Sequence, residues 1–406
     1  MNDKICVGII YPADPMGTIP GGIDTFIRGI LRWVPDDIEM HLVGVSTDAY
    51  QRPVGKWTQC DLGRSKFWFY PVLTLGEPGK RSNIPLSLRF TAALMVKKIG
   101  CSFDVIEFHR IEPSLLYWFD MTPKTAVIHT NMEALYNKNA DIRWKAAPWL
   151  FFKLEDWLLQ RMSSVFVVRE DAVRVYRTRY SALADRFNFT PTWMDPDLFY
   201  PISKVTQGKL KAELAEKYGF LTDEFLLISV GRLDQSKDPL LLLSAFAAVS
   251  ERISDVRLLF VGDGVLREQI AQRIAELRME GKVIIAGLRS AKEVADLLRV
   301  SGIFILSSAY EGMPMCVLEA LGTGVPVVTT DVGEVRRVVK PRENGEIARD
   351  RSVEALADAI ISCHKNYRKY AGQACTDAAS DYVPAKVLAP MYENYRRLAA
   401  MKRAEL

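Results

Sequence analysis

The feature that most constrains the fold is a repeated alternation of short apolar runs with longer segments at helical spacing. The runs lie at 5–11, 40–46, 104–109, 125–130, 164–168, 225–230, 256–262, 282–287, 302–308 and 325–330. Helical patterns between them include 23–34, 144–162, 238–252 and 264–280. Nearly continuous apolar strands are typical of parallel sheets, whose two faces are both covered by helices. The pattern therefore predicts an α/β fold.

The alternation is interrupted once, at 191–209, by a stretch rich in proline and turn residues. Such stretches commonly link domains, so we predict two Rossmann-like domains of similar size. In open α/β sheets ligands bind outside the carboxyl ends of the strands. Two domains that face each other would form one central cleft, lined by the loops after the strands.

Composition excludes several classes of protein. The chain is 49% hydrophobic and 25% charged, which is ordinary for a globular protein, and its net charge of +4 is too small to indicate a nucleic-acid partner. The six cysteines are scattered singly without a C-x-x-C pair, so we expect neither a zinc site nor a disulfide framework. A reducing compartment fits this usage.

The amino terminus predicts a first strand, not a signal peptide, because its apolar run is short and ends in Tyr-Pro. No apolar run reaches the length of a membrane-spanning helix, which is about 18 residues or more. We expect a cytoplasmic protein. Peripheral contact with the inner face of the membrane stays open.

The stretch 311–335 carries the most chemistry. It reads EGMPMCVLEALGTGVPVVTTDVGEV, in which a loop with Glu311 leads through Pro314 into a helix that contains Glu319. Amides near Met315, Cys316 and Val317 would offer an anion site at the helix start. Carboxylates beside it can accept hydrogen bonds from hydroxyls, so the pattern suits a ligand with phosphate and sugar. The alternative is that Glu311 stabilises the helix dipole and Glu319 is solvated.

This segment resembles the E-x7-E segment of retaining nucleotide-sugar glycosyltransferases with the GT-B fold, a family 4-like group that builds bacterial polysaccharides, glycolipids and sucrose. The resemblance implies that Glu311 contacts the donor sugar and Glu319 the ribose. It implies that the helix start between them contacts the diphosphate, through Gly312, Met313, Pro314, Met315 and Cys316. It implies no metal cofactor; the nucleoside diphosphate sugar is a co-substrate.

Arg232 and Lys237 follow the strand 225–230 and precede a helix, in the segment VGRLDQSKDP. Two cations at this position suit a diphosphate, although ordinary surface cations are the alternative. The segment resembles the family's G-R-L-x-x-x-K-G, in which this Arg and Lys bind the donor diphosphate. Asp238 stands where the family has the last glycine.

Glycines after other strands give further candidates. By resemblance, the main chain at Gly287 and Leu288 would contact the nucleobase, whereas we interpret Gly262 in VGDG as a turn residue. Gly21 and Gly22 allow close approach of backbone to the donor phosphate or the acceptor, with a tight turn as the alternative.

His129 lies at the end of the predicted strand 125–130. A lone histidine is usually structural, but this one matches the family's histidine that contacts the donor sugar. His109 follows the strand 104–109 and is a weaker acceptor-side candidate, with Arg110 and Glu112.

The segment 190–201 resembles the family's linker, with Trp193-Met194 where Asn-Gly is usual. Asp195 and Asp197 mimic a D-x-D metal motif, an interpretation we reject because the two acids lie in a linker. The fold class implied by the resemblance is GT-B with the C-terminal helix returning to the first domain. We predict domains at 1–200 and 201–385 and a terminal helix at 386–406.

Aromatic and basic residues in 144–162, together with 66–71 and 79–83, suggest a membrane-facing surface. Core aromatics with solvated charges are the alternative. If the membrane interpretation holds, the acceptor is lipid-linked.

Taken together, the motifs predict a retaining glycosyltransferase that moves a sugar from a UDP- or GDP-sugar to a glycan or lipid-linked oligosaccharide in exopolysaccharide or envelope synthesis. His129, Glu311, Arg232 and Lys237 are its predicted catalytic residues. The rivals are a nucleotide-sugar 2-epimerase of the same fold, an inactive scaffold homologue and a nicotinamide-dependent oxidoreductase. The last is disfavoured because no G-x-G-x-x-G follows a strand.

Overall fold

A computed structural model describes residues 4–17, 22–75, 84–97, 99–129 and 148–405. The chain divides into two compact units. Unit 1 comprises Met1–Pro191 with Val387–Leu406, and unit 2 comprises Thr192–Lys386. The chain thus divides at 191/192 and 386/387, where the sequence predicts 200/201 and 385/386. Among the described residues, no helix has both the length and the apolar character needed to cross a bilayer.

Within its described residues, unit 1 contains an eight-stranded sheet in the order β3-β4-β2-β1-β5-β6-β7-β8. The strands are β1 (Ile5–Ile10), β2 (Ile38–Ser46), β3 (Thr58–Asp61), β4 (Lys66–Thr74), β5 (Val105–Phe108), β6 (Lys124–Ile128), β7 (Ser164–Val167) and β8 (Phe187–Phe189). All pairs are parallel except β3 with β4. The helices are α1 (Gly22–Arg32), α2 (Leu86–Val96), α3 (Pro148–Leu159) and α4 (Glu170–Arg179).

Within its described residues, unit 2 contains a six-stranded parallel sheet in the order β11-β10-β9-β12-β13-β14. The strands are β9 (Phe225–Val230), β10 (Val256–Val261), β11 (Val283–Gly287), β12 (Ile303–Leu306), β13 (Val327–Thr329) and β14 (Gly345–Ile347). The helices are α5 (Lys204–Tyr218), α6 (Pro239–Ser250), α7 (Arg267–Glu276), α8 (Ala291–Val300), α9 (Met315–Gly322), α10 (Val335–Val338), α11 (Val353–Lys365), α12 (Tyr367–Tyr370), α13 (Gln373–Ala379) and α14 (Pro384–Val387).

The last helix, α15 (Ala389–Glu405), packs on the sheet of unit 1. The hydroxyl of Tyr392 donates to the carbonyl of Ile30 at 2.9 Å, and that of Tyr395 donates to Glu107 Oε2 at 2.6 Å. The predicted α/β class, with two parallel-sheet domains and a returning C-terminal helix, is confirmed.

Four strands were not predicted: β3, β4, β8 and β14. The segment 66–71, interpreted as part of a membrane-facing surface, forms most of β4 instead. Phe67 and Phe69 are 1% and 0% exposed in the core of unit 1. Alternate side chains of a strand point to the same face of the sheet. The aromatic residues at 67 and 69 therefore pack together into the core and are not available to a membrane. The membrane interpretation of this segment is wrong, and 79–83 lies outside the described residues.

Candidate functional site

The site in unit 2 is set by the topology of its sheet. The strands β9 and β12 are neighbours in the sheet although β10 and β11 lie between them in the chain. The strand order reverses here, and at such a switch point the loops after the two strands diverge and leave a crevice at the carboxyl edge. The predicted site segments at 231–238 and 307–314 are these two loops.

Lys237 and Glu311 meet at this point. The Lys237 ammonium forms a short ion pair with Glu311 Oε1, which also accepts a hydrogen bond from the Ser308 hydroxyl at 2.6 Å. Burial works to lower the pKa of Lys237, but the charges of Cys316 and Glu311 outweigh it and the pKa is raised. Lys237 is therefore held as a cation at the edge of the sheet.

The two loops are also tied through their backbones. Ser307 Oγ donates to the carbonyl of Lys237 at 2.9 Å, and the amide of Ala309 donates to the carbonyl of Ser236 at 2.8 Å. These bonds fix the distance between the two loops. The ion pair is thus built into a rigid frame.

The backbone at Asp238 shows how an aspartate can occupy the position where the family has a glycine. This backbone is left-handed, with φ of 47° and ψ of 58°, a conformation that glycine adopts without strain and Asp tolerates better than most residues. Asp238 also caps α6, because its carboxylate accepts from the amide of Leu241 at 3.2 Å. The same carboxylate pairs with Arg351 at 2.5 Å.

Arg232 lies in the same loop but is not joined to Lys237. Its side chain is 77% exposed and pairs with Asp234 at 3.2 Å. The loop rests on the turn after β10, where a Cβ on Gly262 would lie only 1.9 Å from the carbonyl oxygen of Gly231. The glycine there permits close packing of two backbones, in agreement with its interpretation as a turn residue.

The start of α9 differs from the prediction in two details. Pro314 is the N-cap and not the first helical residue, and no side chain caps this end. The amide of Val317 donates to the carbonyl of Pro314 at 3.1 Å, so it is not available to a ligand. The amides of Met315 and Cys316 have no backbone acceptor among the described residues. These two remain the candidate anion-binding amides.

Gly312 and Met313 contribute carbonyls to local structure. The carbonyl of Gly312 accepts from the amide of Glu334 at 2.9 Å, and that of Met313 from the Thr192 hydroxyl at 3.2 Å. A Cβ on Gly333 would lie 1.9 Å from the Gly312 oxygen, and Gly333 has a positive φ of 51°. The loop after β13 therefore supports the site. Sequence reasoning did not single out this loop, although it too follows a strand.

The side chain of Glu319 is partly buried. Burial, followed by the negative charge of Asp195, raises its pKa to about 7. Within the part of the chain that the structure describes, no group donates a hydrogen bond to this carboxyl. The raised pKa argues against the alternative of a fully solvated surface acid. Glu319 is a partly desolvated acceptor close to the linker acid Asp195.

Gly287 ends β11 in a left-handed conformation, with φ of 75°. Its carbonyl accepts from the amide of Gly262 at 2.9 Å, while the side chain of Leu288 is 63% exposed. These residues thus lie at the carboxyl edge that also carries Lys237 and Glu311. The apolar side chain of Leu288 offers no hydrogen bond to a base, so a base-specific contact here would come from the main chain.

In unit 1, the two histidines follow neighbouring strands. His129 comes directly after β6 and His109 after β5, and their rings stack with His109 Nδ1 and His129 Nε2 2.9 Å apart. His109 Nε2 lies 3.0 Å from Glu107 Oε1, whose other oxygen accepts from Tyr395. A continuous hydrogen-bonded chain therefore runs from α15 to His129.

This chain sets the tautomer of His129. The Glu107 carboxylate accepts a hydrogen bond from Nε2–H of His109. A neutral His109 therefore has no proton on Nδ1, the nitrogen that faces His129. His129 then carries its proton on Nε2, and its Nδ1 is left as an acceptor. Burial is the main cause that lowers the pKa of His129 well below its usual range, so its ring is neutral at pH 7.

Of the two candidate glycines in the first loop, only one lies in the part of the chain that the structure describes. Gly22 begins α1, whereas Gly21 lies outside the described residues. Phe26, one turn further along α1, packs its ring edge-on against His129 at 4.9 Å. The helix that follows the glycines therefore touches the candidate histidine.

The predicted aromatic surface on 144–162 is mixed. Trp149 is 63% exposed with Lys153 beside its ring, while Phe152 is buried in the core. Trp157 is 39% exposed and stacks on Trp118 at 3.8 Å. Residues 144–147 lie outside the described part of the chain. Within the described residues of this segment an exposed aromatic and basic stripe therefore exists, and the buried Phe152 is not part of it.

Comparison with known proteins finds a family model that matches part of unit 2. Residues 211–376, all within unit 2, match the model of the family described as Glycosyl transferases group 1. This segment of the chain is therefore similar to the group 1 glycosyl transferases. This match covers the loop with Lys237 and the stretch with Glu311 and Glu319.

Two curated relatives share this glycosyl transferase region. The uncharacterized glycosyltransferase MJ1059 of Methanocaldococcus jannaschii is 28% identical over 206 residues, which is 50% of this chain and 46% of the relative. The UDP-Gal:alpha-D-GlcNAc-diphosphoundecaprenol alpha-1,3-galactosyltransferase of Escherichia coli is 26% identical over 179 residues, 43% of this chain and 44% of the relative. The chain thus aligns with about half the length of each.

A solved structure extends the likeness to the whole fold. Sucrose-phosphate synthase from Thermosynechococcus elongatus superposes with a TM-score of 0.77 at 18% identity, covering 98% of this chain and 100% of that one. At this identity the match shows the fold alone. The GT-B fold expected from the sequence is confirmed.

Proposed function

We propose that the chain is a retaining glycosyltransferase that moves a sugar from a nucleoside diphosphate sugar, a UDP- or GDP-sugar, to a glycan or lipid-linked oligosaccharide acceptor. The observation that carries the proposal is the meeting of Lys237 and Glu311 at the switch point of the unit 2 sheet. The rival 2-epimerase draws no support from the glycosyltransferase relatives.

The charges fit the reaction step by step. When the bond from the anomeric carbon to the diphosphate oxygen breaks, its electron pair stays on the diphosphate. Lys237, Arg232 and the amides of Met315 and Cys316 would stabilise this developing charge. Glu311, already held by Lys237 and Ser308, would accept hydrogen bonds from the sugar hydroxyls.

Glu319 suits the ribose. A partly desolvated carboxylate gains more from a hydroxyl donor than an exposed one does, because it has less water to give up. His129, with Nδ1 free to accept, would take a hydrogen bond from a sugar hydroxyl. Glu107, His109 and Tyr395 are proposed to position this ring and not to touch the substrate. No metal ion is required for these contacts.

Two observations support a lipid-linked acceptor in envelope or exopolysaccharide synthesis. The Escherichia coli relative is named for an acceptor on diphosphoundecaprenol. The exposed Trp149 with Lys153 gives unit 1 a small aromatic and basic surface of the kind that lies at membrane interfaces. Contact with the membrane surface is part of this proposal.

The first experiment measures the thermal stability of the full chain against UDP, GDP, ADP and their sugar conjugates, with NAD and NADP as controls. A selective rise with one nucleotide series is expected, because binding to the folded state stabilises it by mass action. Release of nucleoside diphosphate is then measured with a lipid-linked acceptor extract.

The matched pair of variants is Lys237→Ala and Lys292→Ala. Lys292 lies on α8 with its side chain 79% exposed, so its removal should change nothing. Loss of Lys237 should lower turnover by about 100-fold or more, as expected for a group that stabilises leaving-group charge. Unchanged turnover in Lys237→Ala, or stabilisation by NAD alone, would contradict the proposal. Formation of a new nucleotide sugar without acceptor would favour the epimerase.

A further inference from the structure

A second cluster of reactive side chains lies in unit 1, away from both histidines of the candidate site. Cys6 is near the amino end of β1, His41 is on β2, and Cys101 lies in the segment that precedes β5. In a parallel sheet the amino ends of the strands lie at the edge opposite the carboxyl ends. The cluster is therefore remote from His109 and His129, which follow the carboxyl ends of their strands.

The three side chains converge. Among the described residues they form a group in which one ligand atom from each, the two Sγ atoms and a ring nitrogen, lie within 4.8 Å of one another. Cys6 Sγ lies 3.4 Å from His41 Nδ1. Tetrahedral zinc has bonds of about 2.3 Å to sulfur and about 2.0–2.1 Å to nitrogen, which places neighbouring ligand atoms about 3.5 Å apart. The separation of Cys6 Sγ and His41 Nδ1 matches this spacing, and the other two pairs lie within 4.8 Å.

The surroundings hold these ligands in place. His41 is 6% exposed, and its far nitrogen Nε2 lies 3.8 Å from Glu39 Oε2. At 3.8 Å this carboxylate is beyond hydrogen-bond distance, but its charge favours a proton on Nε2 and so leaves Nδ1 able to coordinate. The amide of Cys6 donates to Asp104 Oδ2 at 2.9 Å, and the ring of Trp57 packs edge-on against His41 at 5.1 Å.

We propose that Cys6, His41 and Cys101 bind one thiophilic d10 cation, Zn²⁺, through their two Sγ atoms and Nδ1, with a fourth position left for water. Two thiols and one imidazole form a donor set that soft and borderline metals prefer. On binding, both thiols release their protons to solvent and no electron is transferred. The ion would fasten the segment before β5 to β1 and β2. This site is independent of the proposed sugar transfer.

The test uses the full chain, reduced and freed of metal by a chelator. Zn²⁺ is titrated against a competing indicator dye, and Co²⁺ is used as a spectroscopic probe of the same site. One ion per chain is expected, with visible Co²⁺ bands of tetrahedral intensity and thiolate-to-metal charge-transfer absorption. The thermal unfolding midpoint should rise with added Zn²⁺.

The variants are Cys101→Ser and Cys6→Ser, with Cys60→Ser as the control. Cys60 is a buried free thiol on β3, outside the cluster. In each cluster variant the Co²⁺ complex should lose the charge-transfer absorption of one thiolate, and Zn²⁺ should bind at least about tenfold more weakly. The control should bind as the parent chain does. Should Cys6→Ser fail to fold, the less buried Cys101→Ser carries the same test.

Three results would overturn the proposal. The first is no stoichiometric binding, and the second is equal binding by the parent chain and Cys101→Ser. The third is a mass decrease of two hydrogens in air with Cys6 joined to Cys101, together with no metal binding after reduction. That result would make the pair a disulfide and not a metal site.

Discussion

At the scale of single residues, Glu319 shows how burial changes the chemistry that a sequence motif suggests. A carboxyl on a short helix looks like a surface group, but desolvation and Asp195 raise its pKa to about 7. The residue is therefore part charged and part protonated near neutral pH. Its charge state links protein stability to ligand binding.

We predict that Glu319→Gln removes a pH dependence of stability. Between pH 4.5 and about 7 the folded chain keeps a proton that the unfolded chain has lost, so the wild-type stability falls as pH rises through this window. The shift corresponds to about 3 kcal/mol at pH 8. Thermal unfolding midpoints from pH 4 to pH 8 should fall in the wild type and stay flatter in the variant.

The same variant should bind donor nucleotide more weakly, because a glutamine is a poorer acceptor for ribose hydroxyls than a carboxylate. The wild type should bind more tightly as pH rises from 6 to 8, and the variant should not. Titration calorimetry with the nucleotide selected in the stability screen measures both. Equal affinities across this range would show that Glu319 does not touch the ligand.

Lys237 and Glu311 provide a second prediction. Removal of either partner alone takes the ion pair from the partly buried charge that remains, so Lys237→Met and Glu311→Gln should each lower the free energy of unfolding by about 1–3 kcal/mol. The double variant should recover part of this loss because no charge remains unpaired. Denaturant unfolding and turnover are measured together. Stability should recover in the double variant while turnover does not.

The histidine chain gives a third prediction. Tyr395→Phe removes the hydroxyl that holds Glu107 while keeping the ring in the core, so it should cost about 1–2 kcal/mol of stability. Glu107→Gln should also lower kcat, because the amide no longer fixes the proton on His109 Nε2. The pH profile of kcat separates the two effects. A structural role alone would lower the unfolding midpoint and leave the profile in place.

At the scale of elements, the start of α6 shows why a motif position can change residue without losing its geometry. Asp238 keeps the left-handed backbone expected of a glycine and adds a cap to the helix. Its pair with Arg351 adds a further contact. The conformation, and not the residue, is what the loop requires.

We predict that Asp238→Ala is less stable than Asp238→Gly. Alanine loses the cap, which costs about 1 kcal/mol, and also strains the left-handed backbone by about another 1 kcal/mol. Glycine loses the cap but relieves the strain, so it should lie within about 0.5 kcal/mol of the wild type. Denaturant unfolding of the three proteins measures the order. An alanine variant as stable as the glycine variant would contradict it.

At the scale of the whole molecule, the question is whether unit 1 meets a membrane. Trp149 and Phe119 are 63% and 90% exposed, which is costly in water and favourable at a bilayer interface. Lys153 lies beside the Trp149 ring and can meet anionic headgroups. Flotation can test whether these exposed residues meet a membrane.

We predict that the chain co-floats with anionic liposomes at low salt and that Trp149→Ala combined with Phe119→Ser weakens this. The control is Tyr50→Ala, which removes an aromatic ring that is 96% exposed elsewhere in unit 1. The control should float as the wild type does. Absence of flotation by the wild type at low salt would remove membrane contact from the proposal.

The sequence by itself determined the α/β class, the division into two domains and ten of the fourteen described strands. Strands that are buried on both faces must be apolar throughout. The strands β9, β10 and β12 can therefore be recognised in the sequence as short continuous apolar runs. The loops after them necessarily lie at one edge of a parallel sheet. The candidate residues Lys237, Glu311 and His129 could therefore be placed at strand ends without any structure.

Only the tertiary structure decided what these residues touch. Sequence spacing cannot show that Lys237 pairs with Glu311, that Glu319 is desolvated beside Asp195, or that Cys6, His41 and Cys101 converge. Sequence alone also cannot place the aromatic residues of β4, because such residues suit both a buried strand and a membrane-facing surface. The physical reason is the same throughout: burial and charge interactions depend on distances in space, and these arise only when strands far apart in the chain lie side by side.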